Sequence, residues 1–289
     1  MKRILVTGAA GYIGGAFLAY IRRFPEAYQA EGISLRDGTW KHADFSPYDV
    51  VLHAAGLAHV KETRENRPLY GRINRDLTAE TAEKAKREGV EQFIFLSSLS
   101  VYGMEEGVIT AKTVPHPKTS YGKSKLEAER LLEELRTASF RVAVLRTPMV
   151  YGGGCKGNYR ALVRLAEILP VCPTYENQRS AVSIENLCGY IREMVDLGAD
   201  GIFCPQDPAY FCTCRMIRRI AEERGRHLPV TGAFNFGPAL LKRFTKAGRK
   251  AFGDLVYWDE SQCSDAGVQR GEVHQGGCSV GAEPDMDGV

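Results

Sequence analysis

Tyr121 and Lys125 stand four residues apart in the stretch Tyr121-Gly-Lys-Ser-Lys125, which opens a helical pattern running to residue 135. Four residues is close to one helical turn, so the two side chains share a face. An ammonium beside a phenol favours the phenolate and lowers a pKa that is otherwise about 10. A tyrosine tuned in this way can act as a general acid–base near neutral pH. Ser98 and Ser100 follow the strongest strand pattern of the chain, residues 91–97. Serines placed where a parallel strand ends can face a binding crevice, the alternative being a turn or cap role.

A second chemical signature lies at the start. Gly8, Gly11 and Gly14 recur every three residues after a short apolar run at residues 4–6, and an apolar helical face follows over residues 12–21. Strand, glycine turn and helix together form a dinucleotide-binding arrangement. Gly8 permits the tight turn, Gly11 lets the backbone approach a pyrophosphate, and Gly14 lets helix and strand pack closely. The helix N-terminus, with Tyr12 and Ile13 in its first turn, offers free N–H groups to phosphate charge. A second strand pattern, residues 32–35, is followed by Arg36 and Asp37. An acid there bonds the adenosine ribose, whereas an arginine can take a 2′-phosphate; with both present the residues leave NAD against NADP open, and NAD is the cofactor expected here, NADP the alternative. The third strand pattern, residues 50–56, ends in Ala54, Ala55 and Gly56, small enough for a cofactor to lie across the sheet. His53 reads as a packed strand residue, and His59 as either surface or site.

These residues need a scaffold, and the remaining pattern supplies one. Helical spacing over residues 69–86 carries Asn74 and stops at Gly89; a strand at 141–145 runs on to Thr147. Helices are expected at 158–169, 185–197, 213–225 and 238–252, and a strand at 201–204. Arg179 is the one basic residue in the polar stretch 177–184, where its donor fork could clamp a phosphate or simply face solvent. Strands alternating with helices predict an α/β protein with a Rossmann-type, doubly wound parallel sheet and a smaller C-terminal substrate lobe. Residues 1–150 are expected to form the dinucleotide-binding domain, with 183–204 returning to it, and 151–258 mainly the substrate lobe. Residues 259–289 are rich in Gly, Ser and Asp, show no period, and read as a disordered tail.

Composition narrows the classes. Of 289 residues, 44% are hydrophobic and 25% charged, ordinary for a globular protein. A net charge of +3 is too small to argue for nucleic acid or stable membrane association. No apolar run approaches the ~20 residues of a membrane span, and the first strand is too short for a signal peptide, so a cytoplasmic location is expected. The eight cysteines lack the paired spacing of a zinc site, and no metal is expected.

Four motifs in one order carry a resemblance: Gly8-Ala-Ala-Gly11-Tyr-Ile-Gly14, His53-Ala-Ala-Gly56, Ser97-Ser98 before Val101-Tyr-Gly103, and Tyr121-Gly-Lys-Ser-Lys125. Over residues 1–258 the chain resembles the extended short-chain dehydrogenase/reductases, and within them the NAD-dependent epimerase/dehydratase family that acts on nucleotide sugars. Lys156-Gly-Asn158 and Asn177-Gln-Arg-Ser180 are similar to stretches of bacterial enzymes of polysaccharide biosynthesis. The resemblance implies a cofactor site of Gly8, Gly11, Tyr12, Ile13, Gly14, Arg36, Asp37, Ala54, Ala55, Gly56, Asn74, Lys125 and Thr147. It implies catalysis by Tyr121, Lys125 and Ser98, and substrate contacts from Ser98, Ser100, Tyr121, Asn158 and Arg179.

The implied activity is 4-epimerisation of a UDP-hexose, UDP-glucose or UDP-N-acetylglucosamine, through a 4-keto intermediate. The alternative is NAD(P)H-dependent 4-reduction of a UDP-4-keto-6-deoxy sugar, and a more remote one is a non-catalytic NAD(P)-binding protein. Dehydratase relatives place an Asp-Glu pair after the strand serine or threonine, where this chain has Leu99 and Ser100. The resemblance also admits a homodimer built through the helix that Tyr121 opens. Three departures stand out, the first being Arg36 beside Asp37, which blurs the family's acidic NAD marker. The region after the second strand is short and lacks room for a further strand–helix pair, and residues 259–289 resemble nothing in the family.

Overall fold

The computed structural model describes residues 1–258 apart from 59, 61, 156 and 157. Its elements begin with β1 (Lys2–Thr7), α1 (Tyr12–Ile21), β2 (Tyr28–Ile33) and β3 (Val50–His53). Next come α2 (Arg67–Tyr70), a π-helical turn (Gly71–Asp76), α3 (Leu77–Arg87), β4 (Gln92–Ser98), β5 (Gly107–Ile109), α4 (Ser120–Leu135) and β6 (Arg141–Thr147). The second half holds β7 (Met149–Tyr151), α5 (Asn158–Ile168), β8 (Cys172–Pro173), β9 (Ala181–Ser183), α6 (Ile184–Leu197) and β10 (Gly201–Phe203). It closes with α7 (Thr213–Glu223), β11 (Val230–Thr231), α8 (Phe236–Phe244), α9 (Lys246–Phe252) and β12 (Leu255–Tyr257).

Six strands form one parallel sheet in the order β10-β6-β4-β3-β1-β2. Alternation along each strand sorts side chains to two faces. Ile4, Val6, Leu52, Ile94 and Leu145 pack with Phe17 of α1 and Leu187, Ile191 and Val195 of α6. Leu5, Val51, Phe93, Phe95, Val142 and Val144 pack with Ala82 and Ala85 of α3 and Ala128 and Leu132 of α4. The sheet is therefore covered on both sides, a Rossmann-like, doubly wound arrangement.

The chain leaves β1 for β2 on one side and returns across β1 to β3 on the other, so the strand order reverses there. A ligand crevice is expected at such a point, outside the carboxyl ends of β1 and β3. Only a single 3₁₀ turn, Thr39–His42, lies between β2 and β3, so no strand is added beyond β2. The shortness of this link in the sequence thus has a direct topological result.

Two boundaries differ from expectation. β2 begins at Tyr28 rather than four residues later, its register with Lys2–Thr7 of β1 overriding a pattern that alternates weakly. The helix expected at 238–252 is two helices, because Thr245 takes an extended backbone (φ −129°, ψ 144°) and its hydroxyl accepts from the Gly248 N–H to start α9. The second half has a core of its own around Leu162, Phe211, Ile217, Ile220 and Leu228. α6 packs on α1, and β12 pairs in parallel with β5, bringing Leu255 and Tyr257 against Val101, Tyr102, Ile109 and Leu126.

Candidate active site

The glycine turn has the shape its residues demand. Gly8 adopts φ 69°, and a Cβ on it would lie 2.6 Å from the Ala55 nitrogen. A Cβ on Gly14 would lie 2.6 Å from the Gly8 carbonyl oxygen, which accepts the Gly11 N–H at 2.8 Å. The turn leads into α1 with Gly11 as N-cap and no side-chain hydrogen bond capping the helix. Ile13 packs against the core, while the Tyr12 ring reaches Gly152 and Gly154 of the loop after β7. Burial, joined by the nearby Cys155 thiol, raises the Tyr12 phenol well above its ordinary value.

Beyond β2, Asp37 accepts hydrogen bonds from the Thr39 N–H (3.1 Å) and hydroxyl (2.7 Å), and these donors hold its carboxyl below the usual value. Arg36 is exposed, and its backbone N–H donates to the Ser34 hydroxyl. Both residues follow β2, with the Asp37 carboxylate engaged in shaping the 3₁₀ turn.

Ala54, Ala55 and Gly56 run along the end of β3, held from below by a chain of hydrogen bonds. The Ala55 N–H donates to the Thr7 hydroxyl (3.4 Å), which lies 3.1 Å from His53 Nδ1; His53 Nε2 lies 3.0 Å from the Thr78 hydroxyl. Thr78 donates to the Asn74 carbonyl at 2.9 Å, so its oxygen accepts from Nε2–H and Thr7 donates to Nδ1. His53 is fully buried against Phe93, and desolvation with the nearby Lys125 charge lowers its pKa to about 3. It is a neutral structural residue.

Asn74 sits in the π-helical turn and is buried. Its Oδ1 accepts the Leu57 N–H at 2.6 Å, and its Nδ2 donates to the Leu57 carbonyl (3.0 Å) and the Ser124 hydroxyl (3.2 Å). The wider turn is what swings this amide beneath the loop after β3. Gly56 lies beside it, and a Cβ there would meet Asn74 Oδ1 at 3.1 Å and Lys125 Nζ at 3.4 Å.

α4 starts at the Thr119 cap, whose hydroxyl accepts the Gly122 N–H at 3.1 Å. Tyr121 thereby enters the first turn, half-buried and edge-on to Tyr70, with Ser98 near enough to act on its phenol. Ser98 in turn accepts the Ser100 N–H and contacts the Ser100 hydroxyl, both at 3.2 Å. Lys125 is buried, donates to the Leu96 carbonyl at 2.8 Å, and lies 4.4 Å above the Phe95 ring centre. Desolvation lowers its pKa to about 8, against the Glu129 charge that supports the ammonium.

The phenol differs in sign from the sequence expectation. Burial raises the Tyr121 pKa, with the Ser98 hydrogen bond opposing it, while the ammonium donates to a strand carbonyl. Thr147 is buried, its hydroxyl donating to the Ser97 carbonyl at 2.9 Å, so it joins β4 to β6 beneath the site.

Sequence reasoning missed the polar floor below this cluster. The buried Arg146 and Glu129 side chains pair at 2.8 Å, and Ser97 donates to the same carboxylate. Arg146 also donates to the Tyr102 hydroxyl at 2.9 Å, and Tyr257 donates to the Arg146 carbonyl at 2.7 Å. Glu129 falls one helical turn after Lys125, the one signal that could have placed it.

Arg179 stands apart from the Ser98–Tyr121 cluster. Its Nη1 donates to the Gly253 carbonyl (2.8 Å), with the Arg249 and Glu105 carbonyls at 3.4 and 3.5 Å. Burial lowers its pKa, against support from Asp254, Glu106 and Glu105. Asn158 opens α5, and its side chain, like His59, lies outside the described residues.

The fold agrees with the comparisons. The model of the NAD dependent epimerase/dehydratase family matches residues 4–167, and the chain belongs to that family. It is 37% identical over 185 residues to a UDP-glucose 4-epimerase of Vibrio cholerae, covering 60% of this chain and 56% of that protein. It is 31% identical over 173 residues to a GDP-6-deoxy-D-mannose reductase of Pseudomonas aeruginosa, covering 55% of each. The chain spans about half the length of the curated relatives it matches. Among solved structures, a UDP-glucuronic acid 4-epimerase from Bacillus cereus in complex with NAD shares the fold, with TM-score 0.65, 20% identity, and 87% and 94% of the two chains covered.

Proposed function

We propose that the protein is an NAD(P)-dependent 4-epimerase of a UDP-hexose. The observation that carries this reading is the gathering of Tyr121, Ser98, Lys125 and Asn74 around the end of β4, with Lys125 on the Leu96 carbonyl and Asn74 on Ser124. The turn fits a dinucleotide: Gly8 and Gly14 leave no space for side chains, and Ala54, Ala55 and Gly56 keep the facing loop low. Gly8, Gly11, Tyr12, Ile13, Gly14, Ala54, Ala55 and Gly56 would hold the cofactor, with Arg36 and Asp37 at the adenosine ribose and Asn74, Lys125 and Thr147 toward the nicotinamide end. When bound, that cofactor supplies a centre that accepts and returns a hydride.

Tyr121 takes the proton of the sugar C4 hydroxyl and later gives it back, giving a 4-keto sugar in between. Ser98 hydrogen-bonds the phenol and favours its ionised form, while Ser100 steadies Ser98. Lys125 holds a positive charge beside Gly56 for a ribose hydroxyl. Residues 151–258, with 183–204 returning to the sheet, are proposed to close over the sugar. Asn158 and Arg179 are carried as nucleotide contacts on the family resemblance alone.

The test is NMR of UDP-glucose and of UDP-N-acetylglucosamine, each incubated with the protein and catalytic NAD. Signals of the C4 epimer without net cofactor reduction support the reading. A folded protein that binds NAD(P) yet leaves both sugars unchanged would overturn it. The similarity to a reductase of a deoxy sugar favours one second reading, 4-reduction of a 4-keto-6-deoxy nucleotide sugar. Consumption of NAD(P)H with that substrate would identify it.

A further inference from the structure

α8 presents its apolar face to water. Phe236, Leu240 and Phe244 recur every four residues and are 66%, 56% and 69% exposed, with Leu241 and Phe234 beside them also exposed. Phe234 and Phe236 rings lie 6.3 Å apart, so the patch continues into the 3₁₀ turn before the helix. Of the helix itself only Pro238 is buried. The patch is held firmly from behind, since a Cβ on Gly248 of α9 would overlap the Leu241 carbonyl, and Lys242 pairs with Glu106 at 3.1 Å. Five large apolar groups on a rigid two-helix unit exceed the scattered exposure a soluble surface ordinarily shows.

Charge chooses the occupant. Across α8 and α9 the chain carries five Lys and Arg and no Asp or Glu, far from the near balance of the whole chain. Arg243 lies over the Phe244 ring at 5.6 Å and Lys250 is exposed, while Lys242, Lys246 and Arg249 pair with Glu106, Asp254 and Glu105. A two-fold contact between copies would set this positive patch against itself. Residues 259–289 are acidic, with seven Asp and Glu to one Arg, but hold no Phe, Tyr, Trp, Leu or Ile to cover the stripe. An anionic lipid surface answers both features, taking aromatic and leucine side chains at the acyl boundary and placing basic residues at the headgroups.

We propose that α8, supported by α9, docks the protein reversibly on membranes rich in anionic lipid. The contact is peripheral, as no helix among the described residues is long and apolar enough to cross a bilayer. It is independent of the catalytic reading, and its test uses no turnover.

The experiment is co-sedimentation of the full chain with vesicles of phosphatidylcholine alone and of phosphatidylcholine mixed with phosphatidylglycerol. Partitioning should be at least about tenfold stronger on the anionic vesicles and should weaken as salt is raised. The pair Phe236→Ser and Phe244→Ser should lose that excess, as should the pair Arg243→Glu and Lys250→Glu. All these positions are exposed, and unchanged melting would show each variant folded. Equal partitioning on both vesicle types would overturn the proposal, as would binding indifferent to either variant pair. Light scattering decides the rival occupant: a lipid-free dimer that Phe236→Ser splits would make the patch an interface between copies and refute the membrane reading.

Discussion

Removing the Glu129 carboxylate should damage the protein far more than a typical surface substitution, because of what it leaves behind. Arg146 and Glu129 side chains are only 8% and 6% exposed, and three guanidinium hydrogen bonds of 2.8–3.3 Å join them. In Glu129→Ala the guanidinium stays charged, since arginine does not lose its proton, and keeps the Tyr102 hydroxyl as acceptor. Stranding one partner of a buried pair costs about 3–5 kcal/mol. At about 2–4 °C per kcal/mol, the melting temperature should fall by roughly 6–20 °C, toward the lower end for so long a chain. The same change removes the charge that supports the Lys125 ammonium, so the Lys125 pKa should fall further below its value of about 8. Differential scanning calorimetry of Glu129→Ala and of the double variant Glu129→Leu with Arg146→Met makes the decisive comparison. The double variant strands no charge and should recover most of the loss. A drop in Glu129→Ala of less than about 2 °C, or a double variant as unstable as the sum of its singles, would refute the reasoning.

Three further outcomes are expected. Tyr121→Phe should lower kcat by about 10²–10⁴-fold while NAD(P) affinity by calorimetry stays nearly constant, and near-normal turnover would remove Tyr121 from the chemistry. Gly8→Ala puts a Cβ 2.6 Å from the Ala55 nitrogen at a φ of 69°, a strain of about 1–3 kcal/mol. Cofactor affinity should therefore fall about tenfold or more, and an unchanged dissociation constant would show that the turn does not cradle the dinucleotide. His53 has a folded pKa of about 3, below its unfolded value near 6.5, so the unfolded chain binds the extra proton in that window. Its contribution is complete above about pH 6.5 and is lost as pH falls, by at most about 1.4 kcal/mol per unit. Urea titrations down this range should show a shallower slope in His53→Gln, and an identical slope would mean that His53 does not titrate on unfolding.

Local patterns carried the parts of this molecule that local forces decide. Gly8, Gly11 and Gly14 are legible because only glycine fits where backbone meets backbone, and the Tyr121–Lys125 face follows from helical spacing. The missing strand beyond β2 was visible as a short link. The direction of the Tyr121 pKa was not, because it depends on how burial outweighs a hydrogen bond, and neither quantity is local in sequence. The Glu129–Arg146 pair joins residues seventeen positions apart through the packing of α4 on β6. Arg179 read as a free donor fork, yet its guanidinium faces the Gly253 carbonyl, seventy-four residues onward. The stop between α8 and α9 rests on the backbone at Thr245, which strong helix-forming neighbours concealed.

The pairing of β12 with β5 also sets an order of events during synthesis. β6 ends at Thr147, but the hydroxyl that closes over the Arg146 carbonyl belongs to Tyr257, made 110 residues later. At ribosomal speeds of about 5–20 residues per second, the floor of the site waits some 5–20 s for its last hydrogen bond. Until then β5, Tyr102 and the Arg146 carbonyl lack the strand that meets them. A chain halted in that interval holds the residues of the glycine turn, but not the tyrosine that closes the polar floor below Tyr121.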